Sequence, residues 1–199
     1  MKRINITYKP IKASKHEMKV LRQTEARLNK ETSKQLDLVV HATAIALYKI
    51  DNWKQERIAK LINSTQEIWD ECGASNDLSM VQLCERETGI DLRRDSTDTD
   101  YEDIIYLNSS SDHGEALSIY QWIYMRQNQI KWLPAQITAC MLIALHRREK
   151  WGEQRLVRFL NVFECVKRDY DYNVPELKKA SIELTGFELL EDKDEATAK

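Results

Sequence analysis

Apolar residues recur along this chain at helical rather than strand spacing. Leu36, Val40, Thr43, Leu47 and Ile50 alternate steps of four and three, and Val39 and Ala46 widen the stripe enough to face a core. This predicts a helix over 36–50, a turn at 51–53, and a helix over 54–70 with Ile58, Leu61, Ile62, Ile68 and Trp69 on its apolar side. Upstream, Ser14 and Glu17 have capping-box spacing, each side chain satisfying an unpaired backbone donor at a helix start. Thr32 and Gln35 make a second box, so a break is expected near 32–33. After a turn at 73–77, Ser79 and Gln82 form a box flanked by Leu78 and Leu83 as a hydrophobic staple. That third helix is expected to end at Thr88 and Gly89, where glycine supplies a left-handed cap.

The same order then returns. Residues 93–114 read as an acidic, polar linker: 93–100 lacks aliphatic residues, 101–107 fits a short helix or a docked strand, and 108–114 is a loop with Ser111 or Asp112 as an N-cap. A helix over 115–131 carries Leu117, Tyr120, Ile123 and Tyr124, and Pro134 suits the first turn of another that ends near Arg148. Leu156, Phe159, Leu160, Phe163 and Val166 mark a helix over 153–169, 170–173 is a turn, and Pro175 opens a short helix closed by Gly186. Residues 1–13 are expected to be a flexible basic arm, 14–92 a first helical half, 115–190 a second, and 191–199 a frayed tail.

The two halves share more than order. Aligning 45–63 with 143–161 leaves six of nineteen positions identical, namely Ile, Ala, Leu, Trp, Arg and Asn, and Asp51 faces Glu149 in that register. Each copy is followed by Thr-Gly-apolar-acid-Leu, at 88–92 and 185–189. Such self-similarity predicts a tandem duplication. The expected fold is all-α, with duplicated three-helix units packed about a pseudo-two-fold like a fused homodimer. Trp53 and Trp151 are its expected structural corners, and Gly89 and Gly186 its helix ends.

Composition sharpens the fold class and narrows the chemistry. Five Gly and three Pro are too few to punctuate a β-rich chain of 199 residues. A net charge of −2 gives no whole-molecule case for nucleic acid. The charge is uneven, with ten Lys or Arg against three Glu in 1–34 and nine acids against three Arg in 85–112. Cys72, Cys84, Cys140 and Cys165 form no Cys-x-x-Cys pair and are expected to be buried as small apolar residues. No run has the length of a membrane span or the core of a signal peptide, so a cytoplasmic protein is expected.

Trp53 and Arg57, like Trp151 and Arg155, lie one helical turn apart and can stack. Either each arginine covers its indole and pairs with an internal carboxylate, or the two form a paired site for phosphate or an acidic partner. Two helices joined by a tight corner also fit the loose description of a helix-turn-helix. On that reading Arg57, Lys60, Arg155 and Arg158 contact phosphates, with Lys2, Arg3, Lys9 and Lys12 as a basic arm. Catalysis finds no support: no glycine-rich phosphate loop, metal-ligand spacing or nucleophile elbow occurs, so neither a cofactor nor a metal is expected. A calcium-loop start at Asp169, Asp171 and Asn173 lacks the required glycine, with Val174 there, and the closing glutamate, with Ala180 there.

The run of Ala144, Leu145 and His146, followed by Trp151, Gly152 and Arg155 and closed by Thr185 and Gly186, resembles small proteins of phages and prophages of Firmicutes. Those are commonly about half this length. The resemblance covers about 115–190 well and 36–92 more weakly, where Tyr48 replaces the His and Lys54 the Gly. It implies a phage setting inside a bacterial host cell and no chemistry. The expected function is therefore a non-enzymatic binding protein that modulates a host or phage macromolecule, with a protein partner favoured over nucleic acid.

Overall fold

In the computed structural model, residues 15–72, 79–92 and 119–189 are described. The basic arm, the linker and the tail, with Lys2, Arg3, Lys9 and Lys12, lie outside them, as do the expectations for 73–77 and 101–114. The chain is all-α. Among the described residues it forms α1 (Lys15–Asp51), α2 (Gln55–Cys72), α3 (Ser79–Thr88), α4 (Ile119–Glu149), α5 (Glu153–Asp169) and α6 (Val174–Thr185).

Two expected breaks are absent. α1 runs unbroken through Thr32 and Ser33, because Thr32 turns its hydroxyl back to the Leu28 carbonyl (2.9 Å) and Gln35 bonds Glu31 (3.1 Å). Side chains engaged in that way are satisfied inside a helix instead of starting a new one. α4 likewise runs through Pro134, which was expected in a first turn. A proline inside a helix removes one ladder bond and crowds the preceding turn. Leu133 and Ile137, buried on either side of it, anchor that part of the helix in the interior.

The core explains why both helices are long. Every residue from Val39 to Leu47, and every residue from Ile137 to Leu145, is buried. A helix segment buried on all sides must be surrounded by other elements. α1 is covered by α4, α5 and α6, and α4 by α1, α2 and α3, whereas α1 barely touches α2 and α4 barely touches α5. Each long helix is thus clothed by the short helices from the other end of the sequence, around one continuous core. Thr43 on α1 meets Met141 on α4 at its centre, hydroxyl to sulfur 3.1 Å, between residues 98 positions apart.

The chain turns from long helix to short helix twice in the same manner. Asn52 and Lys150 take left-handed conformations (φ 55° and 57°), and the Trp53 and Trp151 amides reach back to the Leu47 and Leu145 carbonyls (3.5 and 3.3 Å). Asn accepts that conformation readily; Lys carries its Cβ into the carbonyl and is strained there.

The Thr-Gly terminators form matching latches. Thr88 donates its hydroxyl to the Cys84 carbonyl (2.7 Å) and accepts the Ile90 amide (3.2 Å); Thr185 does so with Ser181 (2.6 Å) and Phe187 (3.0 Å). Gly89 and Gly186, at φ 76° and 74°, let the chain fold back so that Ile90 and Phe187 are buried. Gly186→Ala is therefore expected to cost about 1–2 kcal/mol for the left-handed Cβ. Gly152→Ala should change stability by less, since Gly152 has an extended backbone and open space where a Cβ would stand. Chemical denaturation of both variants checks this, and equal losses would contradict the assignment.

Candidate functional site: the tryptophan–arginine corners and the adjoining cleft

The two corners meet. Trp53 and Trp151 are buried and pack edge to face, ring centroids 5.9 Å apart at 74°. Phe159 continues the stack from Trp151 at 6.4 Å, and Phe163 lies a further 5.9 Å on. Arg57 lies over Trp53 at 3.9 Å and Arg155 over Trp151 at 4.3 Å, because residues four apart share a helix face.

Each arginine then reaches across to a carboxylate of the other corner. Arg57 bonds Glu149 and Arg155 bonds Asp51. Two further ion pairs follow the same rule, Lys49 on Asp169 and Arg147 on Glu71, both at 3.3 Å. The arginines are about half exposed, so stacking and ion pair together contribute on the order of 1 kcal/mol at each corner. Their guanidinium planes cover the indoles, and their charge is met by an internal carboxylate.

The other sequence candidates are dispersed. Lys60 is exposed and pairs with Glu56 on its own helix, an arrangement that contributes little. Arg158 is exposed on α5. Cys84 and Cys140 are buried, and burial pushes both thiols up, Cys84 to about 11. Cys165, expected to be buried, is exposed, because the apolar side of α5 that faces the core carries Leu156, Phe159, Phe163 and Val166 instead.

The two corners differ in the side chains that flank the indoles. At the first, Lys54 folds over the Tyr48 ring (4.4 Å to its centroid) and donates to the Leu184 carbonyl at 2.8 Å. Leu184 sits in the last turn of α6, where carbonyls lack helical partners and a cation is favoured. At the second corner Gly152 stands in the place of Lys54 and His146 in that of Tyr48. A cleft of about 510 Å³ opens there, lined by Glu87, His146, Arg147, Lys150, Trp151 and Gly152.

Hydrogen bonds fix the walls of this cleft. His146 Nδ1 lies 2.9 Å from the Trp151 carbonyl oxygen. A carbonyl only accepts, so Nδ1 carries the proton and ties the ring to the corner. Arg147 donates twice to Glu87 (2.8 and 2.7 Å) and once to Glu71 (3.3 Å). Those bonds hold the Glu87 carboxyl below its ordinary range and the Arg147 guanidinium above its own.

One buried residue escaped the sequence reading. His41 is fully buried in the middle of α1, with neither ring nitrogen hydrogen-bonded, its ring 6.5 Å from that of Phe187. It sits inside an apolar run, and its spacing carries no motif. The cleft did leave a signal: the departures between the two aligned segments, Tyr48 against His146 and Lys54 against Gly152, are the residues that fill one corner and open the other.

No helix among the described residues is long and apolar enough to cross a membrane. Among those residues no group of three or more His, Cys, Asp or Glu could hold a metal ion. No family model, no curated protein and no solved structure matches the chain.

Proposed function

We propose that this chain is a non-enzymatic, phage-type helical binding protein that docks on a host or phage protein and modulates it. Inhibition of a host defence factor is one form such modulation takes. The observation that carries this reading is the crossing of Arg57 to Glu149 and of Arg155 to Asp51. A guanidinium stacked on indole and met by a carboxylate must give up an existing pair before it can take a phosphate, which removes the strongest candidates for nucleic-acid contact. The cleft beside the second corner is the complementary support, since it offers concave, chemically mixed surface to a partner.

The same reading takes the chain as a tandem duplication with pseudo-two-fold symmetry, the single-chain counterpart of an intertwined homodimer. What supports it is reciprocity. In an isologous interface, if residue i meets j, then the mate of i meets the mate of j. Arg57 with Glu149 and Arg155 with Asp51 obey that relation in the sequence register, as do Lys49 with Asp169 and Arg147 with Glu71.

A gel-shift titration of duplex and single-stranded DNA and RNA against salt tests the function. Protein docking predicts no shift even at low salt. Binding whose affinity falls steeply as salt rises would replace this reading with a nucleic-acid regulator.

A further inference from the structure

We propose that the cleft at the second corner receives a lysine side chain of the partner protein, as Lys54 fills the matching corner from within the chain. This rests on the protein-docking reading above. At the first corner a lysine ammonium lies on an aromatic ring, 4.4 Å from the Tyr48 centroid, and donates to a carbonyl in the last turn of α6. At the second, the parts stand in the same order: the His146 ring, the last turn of α3 ending at Thr88 and Gly89, and Gly152 where the lysine would originate. Gly152 supplies no side chain, and nothing lies within 4 Å of where its Cβ would be.

The Lys54 precedent and the prior engagement of Arg147, not the net charge of the lining, favour a cation over an anion. Glu87 lines the cleft, in the last turn of α3, where the helix dipole adds negative potential. Arg147 is already held by two carboxylates, Glu87 and Glu71, and with Lys150 these four side chains balance in charge. An anion could engage Arg147 only by breaking its bidentate bond to Glu87, whereas an ammonium needs no bond broken. Lys150 is exposed and also lines the cleft, so it holds a cation off the mouth, and a ligand charge can reach Glu87 only on a stem that lies along the imidazole. A lysine, with four methylenes below a compact charge, meets that description.

Amide-resolved NMR titration of the full chain tests this, with a blocked Gly-Lys-Gly peptide, its norleucine twin and inorganic phosphate as probes. Saturable, millimolar shifts at Gly152 and His146 are expected with the lysine peptide, and a response weaker by about tenfold with norleucine, which lacks the charge. Gly152→Lys is expected to abolish the response by filling the cleft from inside. Lys54→Ala is expected to create a second response around Tyr48. An equal response to norleucine, a phosphate response at the same amides, or no response to any probe would overturn the proposal. None of those results would bear on the docking reading, which the gel-shift experiment decides independently.

Discussion

Trp151→Ala is expected to lower the unfolding free energy by about 3–5 kcal/mol, the range for deleting a fully buried large aromatic side chain. Trp151 is 1% exposed and sits between Trp53 and Phe159, so its loss opens a cavity at the junction of all the central elements. It also strips Arg155 of the surface it lies on. Trp53→Ala should cost a similar amount, and the double variant should depart from additivity by about 0.5–1.5 kcal/mol because the two rings touch. Arg155→Ala, by contrast, should cost on the order of 1 kcal/mol, since its side chain is half exposed. Urea unfolding followed by circular dichroism measures each. A loss below that of Arg155→Ala would mean that the indole pair is not the centre of the core.

Acid is expected to weaken the fold through His41. Burial, and secondarily the Lys178 charge, push its ring down to about 4 from an ordinary 6.5. The folded state keeps this imidazole neutral, while the unfolded chain takes up a proton near 6.5. Between those values the unfolded state binds more protons, so stability rises with pH across the window. This contribution is fully present above 6.5, is lost as pH falls through the folded value, and changes no further below it. A shift of that size corresponds to about 3 kcal/mol. His41→Leu fills a similar volume without a titrating ring, and should flatten the stability profile between pH 4 and 6.5. A slope that survives the substitution would assign the acid sensitivity to other groups. Neither ring nitrogen has a partner, so the variant should also be no less stable than the parent at neutral pH.

The short helices were legible because their ends are written locally. Ser79 opens α3, Pro175 lies in the first turn of α6, and Thr88 with Gly89 and Thr185 with Gly186 close them. The long helices were misread for the same reason. A capping box at Thr32 and a proline at 134 are local signals, and burial in a shared core overrode them. Periodicity also tells which side of a helix is buried but not what buries it, so the covering of α1 by α5 and α6 had no signature in the pattern. The arginines were legible as stacked side chains that pair with an internal carboxylate or bind a partner. Only the structure gives Glu149 and Asp51 as what they meet. The cleft is legible where the two aligned segments disagree in size, since Lys54 against Gly152 is the largest such difference at the corners.

The covering of each long helix by helices from the other end of the chain also bears on how the protein comes to be folded. While it is being synthesised, α1, α2 and α3 emerge first, yet α1 barely touches α2 and is covered mainly by α4, α5 and α6. The nine buried residues of Val39 to Leu47 therefore stay incompletely covered until α5 and α6 have left the ribosome. Contacts between residues such as Thr43 and Met141, 98 positions apart, must form across a long loop, a topology that folds slowly and exposes apolar surface meanwhile. Premature termination anywhere before α5 would leave α1 without two of its three covering helices, so such truncated products should aggregate or be degraded while chains that include α5 and α6 accumulate.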